Sequence, residues 1–442
     1  MPAPYQIATP AAARPRVPSV PLKGLRSFAL VAAMIEWSEQ HRMLRDAFRR
    51  FIADEIEPRI EELEHGETPP YDVIRKMFRT FGIDQINLQR YERRLALKRG
   101  DKGGESDGGE RAGARSGDGA AMQLIPIIEL CRYCPGMVTA MGVSVGLTAG
   151  AILSRGTPDQ IERWARPLLT FEKIGAWAIT EPGSGSDAFG SMRSTARRDG
   201  DGYVLNGQKT FITNGPYADT IVFICKLDEG NDPAERKILH FVLDRGMKGL
   251  TQSKPLRKMG LHSSPTGELF LEDVAVGRDR LLGEKEGGGG GRAGAKQTFG
   301  QERSGVVAMA LGIVERCLEL SVEYARTRVQ FGRPIGEFQL IQEKLARMEV
   351  ARMNLQNIVF RLIELSAAGR SMDFAEASAC KLYAARAAME VALEAVQTFG
   401  GNGYMAEFRV EQLCRDAKVL QIYAGTDEIQ ISQIARDLLA RA

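Results

Sequence analysis

The pattern from Met34 to about Arg99 is helical; in "HRMLRDAFRRFIADEI", Met43, Phe48, Phe51 and Ile52 recur at helix spacing. Residues 100–120, "GDKGGESDGGERAGARSGDGA", break that pattern. Gly-rich and charged, they cannot bury a core, so a disordered loop is expected there. Helical character resumes from Met122 to about Leu169. The texture then changes. "DGYVLNGQKTFITNGPYADTIVFICKL" holds two short β-rich runs, and Asn206-Gly207 carries the positive-φ preference of a tight hairpin turn. "KILHFVLD" and "GELFLEDVAV" add further strands. "GEKEGGGGGRAGAK" (283–296) reads as a flexible joint. Beyond it Val307, Ala310, Leu311, Val314 and Leu318 mark one face of an amphipathic helix, with two or three more helices after it. The expected fold class is α+β multidomain: a helical domain over 34–171, a β domain over 172–285, and a helical bundle over 294–442.

Composition narrows the function classes. With 442 residues, 44% hydrophobic and 26% charged, the chain exceeds one ordinary core and has the balance of a soluble globular protein. A formal net charge of +3 gives no sign of a nucleic-acid partner. No apolar run is expected to span a membrane. Cys131-Arg-Tyr-Cys134 forms a CxxC, but without a second pair or a nearby His it reads as two core thiols. The four histidines lack ligand spacing, so no metal site is predicted. Residues 1–33 have no Asp or Glu and many Pro and Ala, which reads as a disordered extension, a transit peptide or a mis-called start. A reducing compartment is expected, bacterial cytoplasm first and mitochondrial matrix second.

Four stretches carry the chemistry. "AWAITEPGSGSD" (176–187) ends a strand-like run in a Gly-Ser loop that exposes backbone N–H groups and hydroxyls. "NGQKTFITNG" (206–215), "RTRVQFGRPIGEFQ" (326–339) and "QTFGGNGYMAEFRVEQLCRDAKVLQIYAGTDEIQ" (397–430) follow in order. Together they closely resemble the signatures of the acyl-CoA dehydrogenase flavoproteins, over Met34 to the C-terminus with an interruption at 85–121. The resemblance implies an N-terminal α-helical domain, a middle β-barrel-like domain and a C-terminal four-helix bundle that forms a homotetramer. It also implies FAD, an acyl-CoA substrate and an electron-transferring flavoprotein as partner.

Residue by residue, the resemblance places Thr180 and Thr213 against the isoalloxazine ring, Thr213 near N5, with Phe211 packed on the flavin and Trp177 and Ser186 in the same cofactor set. Arg328, Phe331, Gln339, Gln397 and Gly401 match positions that reach the adenine and pyrophosphate of a neighbouring subunit's FAD, and Thr426 and Glu428 match positions facing the cofactor. Ser186 and Arg303 match positions bordering the acyl-CoA path.

One position departs from the signature. Where the family turn often carries a glutamate before Gly-Thr, this chain has Ala424, which cannot take a proton. Relatives such as the isovaleryl-CoA and long-chain dehydrogenases resemble a second pattern, with the base on the first bundle helix directly before an Arg. Here "FGQERSG" puts Glu302 before Arg303. Glu302 is therefore expected to take the α-proton, while the backbone N–H of Ala424 donates to the thioester oxygen. Dehydrogenation of a carrier-bound acyl group, a flavin oxidase or monooxygenase of the same fold, and a silent FAD-binding subunit stand as alternatives. Further departures are "FGIDQINLQRYERRLALKRG" in place of a family loop near the substrate entrance, Gly300 where some relatives have Asp, Ile431 in place of an Arg, and the Gly run at 287–291.

Overall fold

The computed structural model describes residues 36–65, 68–100, 118–287 and 291–441, with backbone alone for Asp118 and for 291–301. The expectations for 1–33 and for most of 100–120 lie outside these residues.

Helix α1 (Glu39–Glu55) starts at a capping box in which the Ser38 hydroxyl accepts from the His41 N–H. Its buried stripe is His41, Arg45, Phe48, Phe51 and Ile52. Met43, which shares the helical spacing, is 65% exposed. At 100° per residue it lies well round the helix from Phe48. Helices α2 (Tyr71–Thr80), α3 (Ile83–Arg99) and α4 (Asp118–Cys131) follow. The segment that departs from the family loop is thus α3, anchored where the Asn87 side chain donates to the Leu169 carbonyl (3.0 Å) and Tyr91 and Leu95 are buried. The last residues of the expected disordered insert, 118–120, already belong to α4.

Helix α5 (Pro135–Arg155) includes a π-helical stretch at Gly142–Ala149. Contrary to expectation, α5 is long and apolar enough to cross a membrane by length and composition. Glycines, Thr and Ser dilute its sequence signal. Half of it is buried inside the fold and it packs on the first strand, as a core helix does.

Seven strands form one sheet: β1 (Gly175–Ala178), β2 (Thr195–Asp199), β3 (Gly202–Thr213), β4 (Thr220–Leu227), β5 (Ile238–Asp244), β6 (Leu250–Gln252) and β7 (Thr266–Val276). Their order is β1-β4-β2-β3-β7-β6, with β5 on the other side of β4. Every residue of β4 is buried because both of its faces are covered. Phe223 and Cys225 join Leu205, Leu239, Phe241 and Leu269 inside the curled sheet. Val222 and Ile224 point the other way, with Trp177 and Val242, onto Ile152, Ile161 and Trp164 of the helical layer. This explains the unbroken apolar run of β4.

Asn206-Gly207 is not a hairpin turn. Both residues lie inside β3, where the pairing register with β7 shifts between Leu205 and Gly207. The Asn206 side chain exchanges two 2.9 Å hydrogen bonds with Asp273, and a Cβ on Gly207 would come within 2.2 Å of the Ser194 hydroxyl. Glycine here serves close approach within a bulge. The β2–β3 turn is Gly200-Asp201, six residues earlier.

The C-terminal part comprises α6 (Gly291–Thr327), α7 (Gln339–Ala367), α8 (Phe374–Phe399), α9 (Val410–Lys418) and α10 (Asp427–Ala440). The joint expected over 283–296 is therefore already helix from Gly291 onward. Helix α6 crosses α4 at Gly312, where a Cβ would lie 2.2 Å from the Ile128 carbonyl oxygen. Beside the crossing, a buried network joins α1, α4 and α6: Arg45 pairs with Glu129 and Glu315, and Arg132 with Glu315 (3.1 Å) and Glu319 (2.5 Å). Asn214, fully buried at φ 63°, binds three segments at once. It donates to the carbonyls of Ala140 and Gly175 (2.9 Å each) and accepts from the Tyr71 hydroxyl (3.0 Å).

Candidate active site

Glu302 and Arg303 sit on α6. The Arg303 side chain is buried, donates to the Ser378 hydroxyl (2.9 Å) on α8, stacks over Phe374 (4.0 Å), and reaches the Ala424 carbonyl oxygen (3.4 Å). That last contact joins the helix bearing Glu302 to the turn where the family glutamate is missing. Glu302 is half-buried. Burial pushes its carboxyl up to about 7, against the opposing pull of the Arg303 and Lys381 cations.

The turn itself is held from behind. Ala424 adopts φ 53° and Gly425 φ 91°. A left-handed alanine costs on the order of 1–2 kcal/mol. That cost is offset by the hydrogen bonds on its carbonyls. Gln430 donates to the Ala424 and Gly425 oxygens (3.1 and 2.8 Å), and Lys381 donates to the Gly425 oxygen (2.8 Å). The Ala424 N–H meets no acceptor among the described residues. Thr426 caps α10, its hydroxyl accepting from the Ile429 N–H, and Glu428 is exposed in the first turn. The Tyr423 hydroxyl contacts the Met309 sulfur at 3.2 Å.

The residues matched to the flavin ring come from two neighbouring segments. The Thr210 N–H donates to the Thr180 carbonyl (2.9 Å), linking the 180–187 loop to β3. A second register shift in β3, between Lys209 and Ile212, sets Phe211 at φ 56° and leaves its ring 69% exposed. Thr180 and Thr213 are half-buried and Ser186 is exposed. Trp177 is buried in the sheet, its indole N–H without a hydrogen-bond partner among the described residues. Under this surface, fully buried Lys209 pairs with Glu181 (2.8 Å) and donates to the Ile179 carbonyl (3.0 Å).

A second group gathers at one end of the bundle. A cleft of about 950 Å³ is lined by Arg328, Phe331, Gln339 and Gly401, with Thr398 and Asn402. Phe331 projects from the two-residue turn between β8 (Val329–Gln330) and β9 (Arg333–Pro334), at φ 52° and 95% exposed. Gln397 is exposed but does not line the cleft, and neither do Trp177, Thr180, Phe211 and Thr213.

Family comparison decides what this arrangement belongs to. Models of the acyl-CoA dehydrogenase N-terminal, middle and C-terminal domains match residues 38–90, 176–274 and 289–439. The chain belongs to the acyl-CoA dehydrogenase family. An acyl-CoA dehydrogenase of Bacillus subtilis is 37% identical over 91% of this chain and 98% of its own. The caffeyl-CoA reductase-Etf complex subunit CarC of Acetobacterium woodii is 33% identical over 92% of this chain and 100% of its own. A glutaryl-CoA dehydrogenase of Mycobacterium smegmatis solved in complex with FADH2 superposes with a TM-score of 0.78 at 26% identity, covering 91% of this chain and 95% of its own. This acyl-CoA dehydrogenase is thus an oxidoreductase of the three-domain fold, with a curled sheet between helical domains.

Two features of the site escaped the sequence. Lys381 is a lone cation on the small-residue face of α8, among Ala377, Ser378, Ala384 and Ala385. A charge interrupting such a stripe was the available signal. The Glu181–Lys209 pair lies inside two motifs, yet only the folded sheet shows that the motifs are tied to each other.

Proposed function

We propose that this enzyme carries out FAD-dependent α,β-dehydrogenation of an acyl-CoA thioester, with Glu302 as the base. The observation that carries the proposal is the Arg303 contact to Ala424, which ties the helix bearing the carboxylate to the family's turn. Bound FAD supplies the two-electron acceptor for the hydride leaving the β-carbon. Glu302 takes the α-proton. Its raised proton affinity suits abstraction from a weakly acidic carbon near neutral pH. The Ala424 N–H, which meets no acceptor among the described residues, donates to the thioester oxygen as enolate character develops. Arg303 holds the turn and balances the charge of Glu302, and Ser186 borders the acyl-CoA path.

The residues fit the cofactor. An exposed Phe211 on a strained backbone, flanked by Thr180 and Thr213, offers a flat apolar face edged with hydroxyl groups. Trp177, on β1, and Thr426 and Glu428, at the start of α10, complete the set assigned to the cofactor. Arg328, Phe331, Gln339 and Gly401 offer a cation, an aromatic ring and amide groups around a cleft, as an adenine and pyrophosphate require; Gln397 stands just outside it. The separation of the two groups supports a site shared between subunits, in keeping with a homotetramer. Reduced enzyme passes its electrons to an electron-transferring flavoprotein, a reading supported by the Etf-complex relative. Four fully buried free thiols are in keeping with a reducing compartment, the bacterial cytoplasm.

Glu302→Gln tests the assignment. It should keep FAD and lose roughly 10²–10⁴-fold in the rate of flavin bleaching by an acyl-CoA panel. In the wild type the ionised carboxylate is the active form. The rate at low substrate should therefore rise with pH through a midpoint near 7. A Glu302→Gln enzyme of undiminished rate would overturn the proposal.

A further inference from the structure

Lys381 is fully buried, and burial pushes its ammonium down to about 8. Buried ammonium groups are retained where something holds them. Here the direct contact is the Gly425 carbonyl oxygen at 2.8 Å, and the nearest carboxylate oxygen, on Asp427, lies at 3.9 Å. Asp427 is itself engaged by Arg386 (3.0 Å) and Gln421 (3.3 Å). The Lys381 charge is therefore not consumed in a tight pair. The charged groups facing it are Glu302 and Arg303 from α6 and Asp427 and Glu428 from α10. Glu302 in turn faces Arg303, Lys381 and, from the turn, the Tyr423 hydroxyl.

Peptide planarity gives the contact a consequence. A trans peptide points its C=O and N–H in opposite directions. Drawing the carbonyls of Ala424 and Gly425 toward Arg303, Gln430 and Lys381 turns the N–H groups of Gly425 and Thr426 the other way. We infer that Lys381 is a positioning residue for the proton-transfer step: it pins the 423–426 turn through the Gly425 carbonyl, next to the Ala424 carbonyl that Arg303 reaches from the helix bearing Glu302. The inference rests on the reading of Glu302 as the base, and no contact between Lys381 and substrate is required.

Two measurements on the FAD-loaded enzyme test it: the pH profile of bleaching by butyryl-CoA and isovaleryl-CoA, and amide hydrogen exchange of peptides spanning 419–430. Lys381→Met removes one of the cations that oppose protonation of Glu302. The midpoint should then move to higher pH by on the order of one unit. At pH 7 that corresponds to a roughly fivefold fall in the ionised fraction. The turn amides should exchange faster. Lys381→Arg keeps the charge and should restore the midpoint; Lys381→Gln replaces the Met variant if that protein does not fold. A midpoint unchanged in the neutral variants would overturn the inference even if the rate fell, because a merely structural lysine slows turnover without moving the profile. Unchanged turn exchange would overturn the pinning of the turn. Failure of both acyl-CoA probes to bleach the wild type counts against the functional reading instead, and the exchange measurement then decides the fate of Lys381 alone.

Discussion

Replacing Lys209 by Met should destabilise the sheet domain strongly and loosen the flavin surface above it. In the native protein Glu181 accepts from Lys209 (2.8 Å) and from the backbone N–H groups of Arg193 (2.6 Å) and Ser194 (3.0 Å). Burial opposes the charge on Glu181, but these partners outweigh it and hold the carboxyl below its usual range. Removing one member of a buried pair costs about 3–5 kcal/mol, because the other is left as an uncompensated charge. The two backbone donors remain, so a loss of about 3 kcal/mol is expected. For a chain of 442 residues, with an unfolding entropy of about 2 cal/mol/K per residue, that corresponds to a fall in melting temperature of roughly 3 °C. The sign with pH follows from the residual carboxylate. Without its cation, Glu181 takes up a proton at higher pH in the folded state than it does in the wild type, so the loss is full near neutrality and shrinks as the pH falls through the variant's value toward the lowered wild-type one. The double variant Lys209→Met/Glu181→Gln carries no buried charge and should recover at least about 1 kcal/mol of the single-variant loss. Thermal melts across pH, with hydrogen exchange of peptides over 178–184 and 206–213, make the comparison. A Lys209→Met protein that melts with the wild type at pH 7, or a double variant less stable than the single one, would refute the reasoning.

Two further expectations are simpler to check. Gly312→Ala should separate α6 from α4, since its Cβ would fall 2.2 Å from the Ile128 carbonyl oxygen and 2.8 Å from the Cys131 Cβ; overpacking of this kind costs about 1–3 kcal/mol, read as a lower denaturation midpoint. A thiol reagent under native conditions should label Cys380 and Cys414, the two partly exposed thiols, and leave Cys131, Cys134, Cys225 and Cys317 unlabelled until denaturant is added; burial pushes the thiols of Cys131 and Cys134 well above the usual range.

What the sequence disclosed depended on how local the cause was. Helix periodicity located α1 and the long bundle helices, because a repeating apolar face is a short-range property. The order helix, sheet, helix was legible for the same reason. Asn206-Gly207 misled because the dipeptide's turn preference was overridden by pairing with Asp273, more than sixty residues away. Helix α5 misled in the other direction, since small residues spaced four apart hid an apolar helix from a count of large side chains. The motifs named Glu302 and Ala424 separately. That Arg303 reaches between them, and that Lys381 lies behind them, are facts of packing between α6, α8 and the turn.

Asn214 gives the chain a timetable. Its side chain bonds residues 143, 74 and 39 positions earlier, and its own N–H donates to the Pro265 carbonyl, not yet synthesised when Asn214 is made. During synthesis the strand ahead of this residue can pair, but the knot itself cannot close until residue 265 has emerged. Closure over such distances is slow relative to helix formation. The Thr213 surface, whose strand pairs at Thr213 with Thr266, is therefore completed only once both strands exist.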